Sequence, residues 1–306
     1  MISSVETELS RVRSQHRAAL DRRLEEIYSR LPELREVDTA RTALLTAAGK
    51  GALTPAEARD RHRELTARED ALLASAGYTR KDLELTYDCE KCRDTGWLGA
   101  GLKKPCSCRL LKAAALDPAQ AINRFETFEA FDASLYTEER QRAKAEAARD
   151  YCLAFAEALP HPEKPFLLLL GDTGVGKSFF GNAIAYRALE RAVPAARLTA
   201  YAWLNRVLRD MRAEQTETDF AATAPLLSLD DLGSEPHIPN VTDEHLFALI
   251  NERLSAKRPT VIGTNLSLAE LRDRYGDRVF TRLTDKANVQ VFRLEGENLR
   301  RRNRSC

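Results

Sequence analysis

A stretch of eight residues combines three glycines with a lysine and a serine in the order G-D-T-G-V-G-K-S. Glycines let the backbone fold around an anion with its N–H groups pointing inward, and the N-terminus of a following helix adds partial positive charge. In this pattern the lysine reaches the β- and γ-phosphates of a nucleotide and the serine hydroxyl holds Mg²⁺. We therefore predict a site for ATP and Mg²⁺, against the alternative of a plain glycine-rich turn. The stretch consists of Gly171, Asp172, Thr173, Gly174, Val175, Gly176, Lys177 and Ser178.

Two acids and an amide lie where later apolar runs end. Asp230 and Asp231 close the run that begins at Pro225, and Asn265 follows the run 260–264. A carboxylate can reach Mg²⁺ through its water shell, and the next one can orient a water for in-line attack on the γ-phosphate. We assign Asp230 to the metal and Asp231 to the water. The Asn265 amide can bond that water or the γ-phosphate, although asparagine is also a common turn residue.

Two arginines lie one helical turn apart in the segment G-D-R-V-F-T-R-L. They are Arg278 and Arg282. Such a pair occupies either a solvated helix face or a site where negative charge has to be met. The residues alone leave both interpretations open.

Four of the six cysteines fall within one short segment, as Cys89, Cys92, Cys106 and Cys108. A C-x-x-C turn places two thiolates on one side of a metal ion, and a second close pair completes a tetrahedron. We predict a zinc site, since a hydrophilic segment of this size has little else to hold it together. The C-x-C spacing of the second pair leaves open whether both Cys106 and Cys108 are ligands.

The elements that must position these groups follow from hydrophobic patterning. The apolar run 166–170 is typical of a buried parallel strand, and further strands are expected at 197–201, 225–233, 260–264 and 289–294. Helical segments separate them. The alternation predicts an α/β fold, in which a mostly parallel sheet is covered by helices on both faces.

The N-terminal part has a different character, because it is rich in Ala, Leu, Glu and Arg and carries helical apolar spacing. Thr54, Pro55 and Glu57 predict a helix start with a capping box. Three phenylalanines, Phe125, Phe128 and Phe131, are expected to pack on the following domain. We expect a helical, partner-binding region at 1–85, a zinc-binding module at 86–112, a linker and helix at 113–159, and an ATPase domain at 160–306.

The bulk composition limits the choice of partners. The 306 residues carry 30% charged side chains but a net charge of only +1, so no global field attracts nucleic acid. No apolar run approaches the roughly 20 residues that cross a bilayer. We expect a soluble, cytoplasmic protein that makes no membrane contact.

The order GDTGVGKS, LLSLDDLG, IGTNLS and GDRVFTRL resembles the AAA+ ATPases of the bacterial helicase-loader type (DnaC, DnaI) and the related IstB transposition helpers. The N-terminal half is similar too, since the segments CEKCRDTGW, CSC and NRFETFEAF resemble the zinc-containing, helicase-binding half of DnaI-type loaders. The resemblance covers nearly the whole chain. It implies a P-loop AAA+ ATPase domain preceded by an α-helical, zinc-binding domain.

The resemblance also implies roles for single residues. Asn265 takes the place of the sensor-1 residue, and Arg282 that of the arginine finger inserted into a neighbouring subunit's ATP site, with Arg278 assisting. Arg300, in the segment E-N-L-R, takes the place of a sensor-2 arginine.

A loader of the replicative DNA helicase is the function that the resemblance implies. Its N-terminal module would grip the hexameric helicase, while the ATPase domains would self-associate and contact single-stranded DNA. Many AAA+ proteins have Asp-Glu where this chain has Asp230 and Asp231, which suggests slow hydrolysis suited to a switch.

Three alternatives stay open at this point. A transposition helper of the IstB type would hand DNA to a transposase, but such helpers resemble only the ATPase portion. A small-molecule kinase would need neither a finger arginine nor a zinc module. An adaptor would bind ATP without significant turnover.

Overall fold

The chain divides into two compact units. A helical unit comprises Glu6–Gly96, and a sheet unit comprises Trp97–Cys306 together with Met1–Val5. The structure is a computed structural model, and it describes residues 2–99, 101–116, 122–213, 220–296 and 298–299.

Three α-helices form most of the helical unit: α1 (Ile2–Arg30), α2 (Glu33–Gly49) and α3 (Pro55–Ser75), followed by a 3-10 turn at Arg80–Leu83. Helix α3 begins at the predicted capping box. The Glu57 backbone N–H donates to the Thr54 hydroxyl at 3.3 Å, and the Thr54 backbone N–H donates to the Glu57 carboxylate at 2.9 Å. The pair satisfies donors that the first helical turn would leave without partners.

Apolar side chains hold these helices together. Ile27 of α1 and Leu31, which follows α1, are buried in one cluster with Leu34 of α2 and Leu73 of α3. Burial of each such side chain stabilises a fold by about 1.5–3 kcal/mol. The cluster is small, but further apolar residues of α2, such as Val37, are buried outside it.

A parallel sheet of five strands is the centre of the sheet unit. In chain order the strands of this unit are β1 (Trp97–Leu98), β2 (Lys104–Pro105), β3 (Phe166–Leu170), β4 (Ala195–Thr199), β5 (Leu226–Leu232), β6 (Thr260–Thr264) and β7 (Val289–Arg293). Strands β1 and β2 form an antiparallel pair, and the others lie in the order β4-β5-β6-β3-β7.

Helices cover both faces of this sheet. They are α4 (Ser107–Leu116), α5 (Glu139–Glu157), α6 (Lys177–Glu190), α7 (Ala200–Ala213), α8 (Phe220–Thr223), α9 (Thr242–Ser255) and α10 (Leu268–Leu283). Leu168 of β3 belongs to a core cluster that includes Trp203 of α7, whereas its neighbour Leu167 belongs to the opposite cluster with Phe180 of α6. Alternate side chains of one strand are therefore buried on opposite faces, which confirms the predicted α/β fold.

The carboxyl ends of the central strands are level with one another. Leu170 of β3 pairs with Thr264 of β6, and Thr199 of β4 pairs with Asp230 of β5. Residues that follow these positions must meet at one edge of the sheet, which is where ligands bind in open parallel sheets.

Two details differ from the sequence-based expectation. Strand β4 begins at Ala195 and ends at Thr199, because the Thr199 hydroxyl accepts the Ala202 backbone N–H at 3.1 Å and α7 starts at Ala200. Of the three phenylalanines expected to pack on the sheet unit, Phe125 is 69% exposed. Phe128 and Phe131 do pack on its core.

Among the described residues, no helix combines the length and the apolar character needed to cross a membrane.

Candidate functional site

A cavity of about 400 Å³ opens at the carboxyl edge of the sheet. The glycine-rich loop supplies Lys177 and Ser178 to its wall, and the strand ends supply Asp231 and Asn265. The segment before α5 supplies a further wall, which includes Tyr136. A cavity of this size with convergent polar groups is a typical small-ligand site.

The loop between β3 and α6 has a backbone that only glycine tolerates at its tightest points. Gly174 and Gly176 have φ of +87° and +107°. A Cβ atom would lie 2.8 Å from the Tyr136 hydroxyl at Gly176, and 2.1 Å from the Asn298 side chain at Gly174. Helix α6 begins at Lys177, so its first N–H groups and its positive dipole end face the loop. These residues fit a bound phosphate chain.

Lys177 and Asn265 meet inside this loop, although they come from different elements. The buried Lys177 ammonium donates to the Asn265 side-chain oxygen at 2.6 Å and to the carbonyls of Gly171 and Asp172 at 2.6 and 2.7 Å. The lysine is thereby held as an ordered cation at the cavity. Asn265 is placed where it can contact the same ligand atoms.

Ser178 and Asp230 form the second pair that the fold brings together. The Ser178 hydroxyl donates to an Asp230 carboxylate oxygen at 3.2 Å. The other Asp230 oxygen accepts from Arg197 of β4 at 2.7 Å, within a buried ion pair. Hydroxyl and carboxylate oxygens are the ligands that Mg²⁺ prefers, so this pair fits the predicted metal role. Sequence reasoning missed Arg197, since nothing local to β4 indicates a partner on β5.

Asp231 occupies a backbone bulge. The β5–β6 register shifts between Leu229 and Leu232, and Asp231 has φ of +55°, in the left-handed region. Successive residues of a regular strand point to opposite faces, whereas a bulge re-aims one side chain. As a result Asp230 faces Ser178 and Asp231 lines the cavity.

Tyr136 closes the cavity from the segment before α5, a residue that sequence reasoning missed. Its hydroxyl donates to the Val175 carbonyl at 2.9 Å, and only 3% of the residue is exposed. Burial raises the pKa of Tyr136 to about 12, so the hydroxyl stays protonated as a donor. Phe131 stacks nearby at 5.7 Å from Phe180. The sequence signal available for this segment was the expected packing of the phenylalanines. It predicted contact with the sheet unit but not that the segment forms a wall of the cavity.

The predicted arginines lie elsewhere. Arg278 is exposed, with its guanidinium 4.1 Å from the Phe247 ring centroid and 3.2 Å from Glu244. Arg282 is exposed at the end of α10. Neither lines the cavity, and within the described part of the chain no arginine does. Arg300 lies outside the described residues.

A second candidate site lies in the segment that carries the first two cysteines, residues 87–96, which we call the cysteine knuckle. The buried Asp94 carboxylate accepts the backbone N–H groups of Asp88 and Cys89 at 3.1 and 2.9 Å. The Gly96 N–H donates to the Cys92 sulfur at 3.3 Å. A hydrogen bond to a sulfur ligand orients it, as expected around a metal.

The sulfur atoms of all four predicted ligands are close enough for one ion. Cys89, Cys92, Cys106 and Cys108 offer sulfurs within 4.8 Å of one another. Four sulfurs at 2.3 Å from a tetrahedral zinc lie about 3.8 Å apart, so the donor set fits zinc.

Known proteins resemble this chain in sequence. A family model described as "IstB-like ATP binding protein" matches residues 109–306. The replicative helicase loader DnaI of Bacillus subtilis (strain 168) is 30% identical over 131 residues, which cover 42% of this chain and 41% of that protein. The chain therefore aligns with less than half the length of this relative.

Solved structures that align with part of this chain include a DnaC helicase loader and a DnaI. The first is 20% identical with a TM-score of 0.48 and covers 56% of this chain and 97% of the other. The second is 21% identical with a TM-score of 0.47 and covers 61% of this chain and 99% of the other.

Proposed function

The chain belongs to the family of IstB-like ATP-binding proteins, and on this premise we propose that it is an ATP-dependent loader of a hexameric replicative DNA helicase. The observation that carries the ATP part is the convergence of Lys177, Ser178, Asp231 and Asn265 on one cavity. The loader part is supported by the sequence similarity to DnaI of Bacillus subtilis.

In the proposed reaction the chain holds the nucleotide and directs a water molecule. Lys177 and the loop N–H groups bind the β- and γ-phosphates, and Ser178 and Asp230 would hold Mg²⁺. Bound Mg²⁺ offsets negative charge on the phosphates. Asp231 orients the attacking water, and Asn265 positions it together with the lysine. Arg197 keeps the Asp230 carboxylate in place through the buried ion pair.

The active site is proposed to be shared between subunits. In-line attack develops negative charge that an arginine stabilises strongly, and none lines the cavity among the described residues. The exposed Arg282 is the proposed finger for a neighbouring subunit, with Arg278 beside it on α10. Arg300 is proposed as a further contact to the nucleotide.

Partners are assigned to different parts of the chain. The helical region 1–85 and the zinc module 86–112 are proposed to grip the helicase, while the ATPase domain 160–306 follows the linker 113–159.

Helix α7 exposes Tyr201, Arg209 and Arg212. An aromatic ring and arginines exposed on one helix suit single-stranded DNA, because bases stack on the ring and phosphates meet the charges. Clustered cysteines suit a reducing compartment, and we propose the cytoplasm.

The test combines helicase binding with ATP turnover. The wild-type protein should co-elute with a hexameric replicative helicase in size-exclusion chromatography and should hydrolyse ATP. Lys177→Ala should lose hydrolysis by a factor on the order of 10³, because the phosphates lose their cation. Lys164→Ala is the matched control, since Lys164 does not line the cavity and donates to the Gln290 side-chain oxygen at 3.4 Å. It should leave turnover unchanged.

Three results would contradict the proposal. Normal hydrolysis by Lys177→Ala would remove the assigned site. If the wild type binds ATP without hydrolysing it, the adaptor function is the better account. Binding to a transposase with no helicase binding would favour a transposition helper, which the family match also supports.

A further inference from the structure

Glu235 is a buried carboxylate close to the cavity that the proposed reaction does not use. Only 2% of the residue is exposed. One carboxylate oxygen accepts the Gly233 backbone N–H at 2.9 Å, and the other accepts the Tyr275 hydroxyl of α10. Burying a charge is costly unless it is hydrogen-bonded, so its placement needs these two donors.

Helix α10 holds Glu235 by a second side chain. The Arg274 guanidinium donates to the Glu235 backbone carbonyl at 2.5 Å and lies 3.7 Å from the carboxylate. Burial, and after it the hydrogen bond to Glu235, raises the pKa of Tyr275, so this hydroxyl remains a donor. Glu235 is thus anchored to α10 through both its side chain and its backbone.

The other side of Glu235 is the turn that carries the water-orienting acid. Ser234 donates to the Asp231 carbonyl through its backbone N–H at 3.0 Å and through its hydroxyl at 2.7 Å. Gly233, between them, has φ of +103°, and a Cβ there would lie 2.6 Å from Leu266. The turn is tight, and both Asp231 and Ser234 line the cavity. Glu235 is therefore joined to Asp231 through a short, hydrogen-bonded turn.

Helix α10 is interrupted directly after its contact with Glu235. Gly276 has φ of +74° and ψ of +171°, so the helix consists of two segments that meet there. The second segment carries the exposed Arg278 and Arg282 and is held to the core by Val279 and Leu283. The anchor of the Asp231 turn and the start of the arginine-bearing segment are consecutive residues, Tyr275 and Gly276.

We propose that Glu235 is a positioning residue that fixes the Asp231 turn on α10 and thereby couples the ATP cavity to the segment that carries Arg278 and Arg282. The inference rests on the proposed ATP hydrolysis and deepens it. Loss of the carboxylate releases Asp231 from α10 while the phosphate loop keeps its contacts, so turnover falls and ATP affinity does not.

The experiment compares three single variants and one double variant of the full-length chain with a control. Glu235→Ala should lower kcat by 10- to 100-fold, on the order expected when a reacting group is misplaced by about 1 Å. Glu235→Gln, which keeps an acceptor for the Gly233 N–H, should recover part of this loss. Tyr275→Phe should lower kcat less than Glu235→Ala and add nothing to it in the double variant, because both remove one link. ATP affinity should stay at the wild-type value throughout.

The matched control is Asp277→Asn, which removes an exposed ion pair with Arg272 on the same helix without touching the Asp231 turn. It should leave kcat unchanged. A second measurement reports the coupling itself. A non-hydrolysable ATP analogue should slow hydrogen exchange in residues 271–283 of the wild type, and this effect should be absent in Glu235→Ala.

Wild-type kcat in both Glu235→Gln and Tyr275→Phe would overturn the inference, even if Glu235→Ala failed to fold. Unchanged protection of 271–283 in a folded Glu235→Ala would overturn it as well. A wild-type protein that binds ATP without hydrolysing it would instead overturn the proposed function. The two failures are therefore distinguishable.

Discussion

The proposed ATP cavity and the cysteine knuckle assemble their polar groups by different means. In the cavity, Lys177 and Asn265 are far apart in the chain but meet at 2.6 Å, because they follow neighbouring strands of a buried parallel sheet. In the knuckle, Asp94 binds the N–H groups of Asp88 and Cys89, all within one short segment. The first arrangement depends on a large hydrophobic core, and the second on local hydrogen bonds.

The two sites differ in the source of their stability. The strands under the cavity are buried on both faces, so the cavity geometry is supported whether or not a nucleotide is bound. Five of the ten knuckle residues are exposed, and Cys92, Asp94 and Gly96 are its buried members. Hydrogen bonds of about 1 kcal/mol each contribute little alone. We therefore expect the knuckle to need its metal ion in order to stay folded. The cavity should keep its geometry without a nucleotide.

Removal of the metal ligands should give the largest effect and would expose this contrast directly. The purified protein should carry about one zinc per chain, and binding of a structural zinc contributes about 10–16 kcal/mol to such modules. Cys89→Ser combined with Cys92→Ser should lose the metal and increase hydrogen exchange in residues 87–96, while ATP affinity is unchanged. Elemental analysis measures the metal, and Cys152→Ala is the control that should keep it. A metal-free wild type would refute the zinc site.

Removal of Arg282 tests whether the cavity, unlike the knuckle, is incomplete within one chain. An arginine finger contributes roughly 10³ to 10⁵ in rate. Arg282→Ala should therefore bind ATP normally but lose hydrolysis, and mixing it with Lys177→Ala should restore some activity. The mixture pairs an intact phosphate loop with an intact arginine across one interface. If the mixture hydrolyses no faster than its two components while assembly is retained, Arg282 does not act on a neighbouring subunit.

A change in the wall of the cavity should have the smallest effect, because the sheet still supports the rest. Tyr136→Phe removes one hydrogen bond to the Val175 carbonyl, which is worth about 1 kcal/mol, so ATP should bind at most roughly fivefold more weakly. Isothermal titration calorimetry measures this change. Tyr151→Phe is the matched control: the Tyr151 ring stacks on Phe292, away from the cavity, and affinity should not change. A loss above a hundredfold would mean that Tyr136 supports the whole phosphate loop.

Local patterns carried most of the successful predictions. Strands β3 and β6 lie at the predicted residues, Phe166–Leu170 and Thr260–Thr264, since uninterrupted apolar runs with defined ends indicate buried parallel strands. The Thr54–Glu57 capping box was equally readable, because both partners are neighbours in sequence.

Contacts between distant residues could not be predicted in the same way. Arg197 pairs with Asp230 because β4 and β5 are adjacent, and Glu235 meets Tyr275 because α10 packs beside the turn after β5. Neither pairing can be predicted from hydrophobic periodicity or from the composition of the sequence. The end of β4 at Thr199 was missed for a related reason, since a hydroxyl bond to Ala202 ends the strand before the apolar pattern does.

The chain's two tryptophans lie in different regions and can serve as intrinsic fluorescent probes. Trp203 is buried in the sheet core, and its indole N–H has no hydrogen-bond partner among the described residues. Trp97 follows directly after the cysteine knuckle and lies under the Arg109 guanidinium at 4.3 Å. An apolar, dry indole emits at shorter wavelength than one beside a charge and solvent. Intrinsic fluorescence can therefore separate loosening of the cysteine segment from melting of the core in a single, label-free unfolding curve.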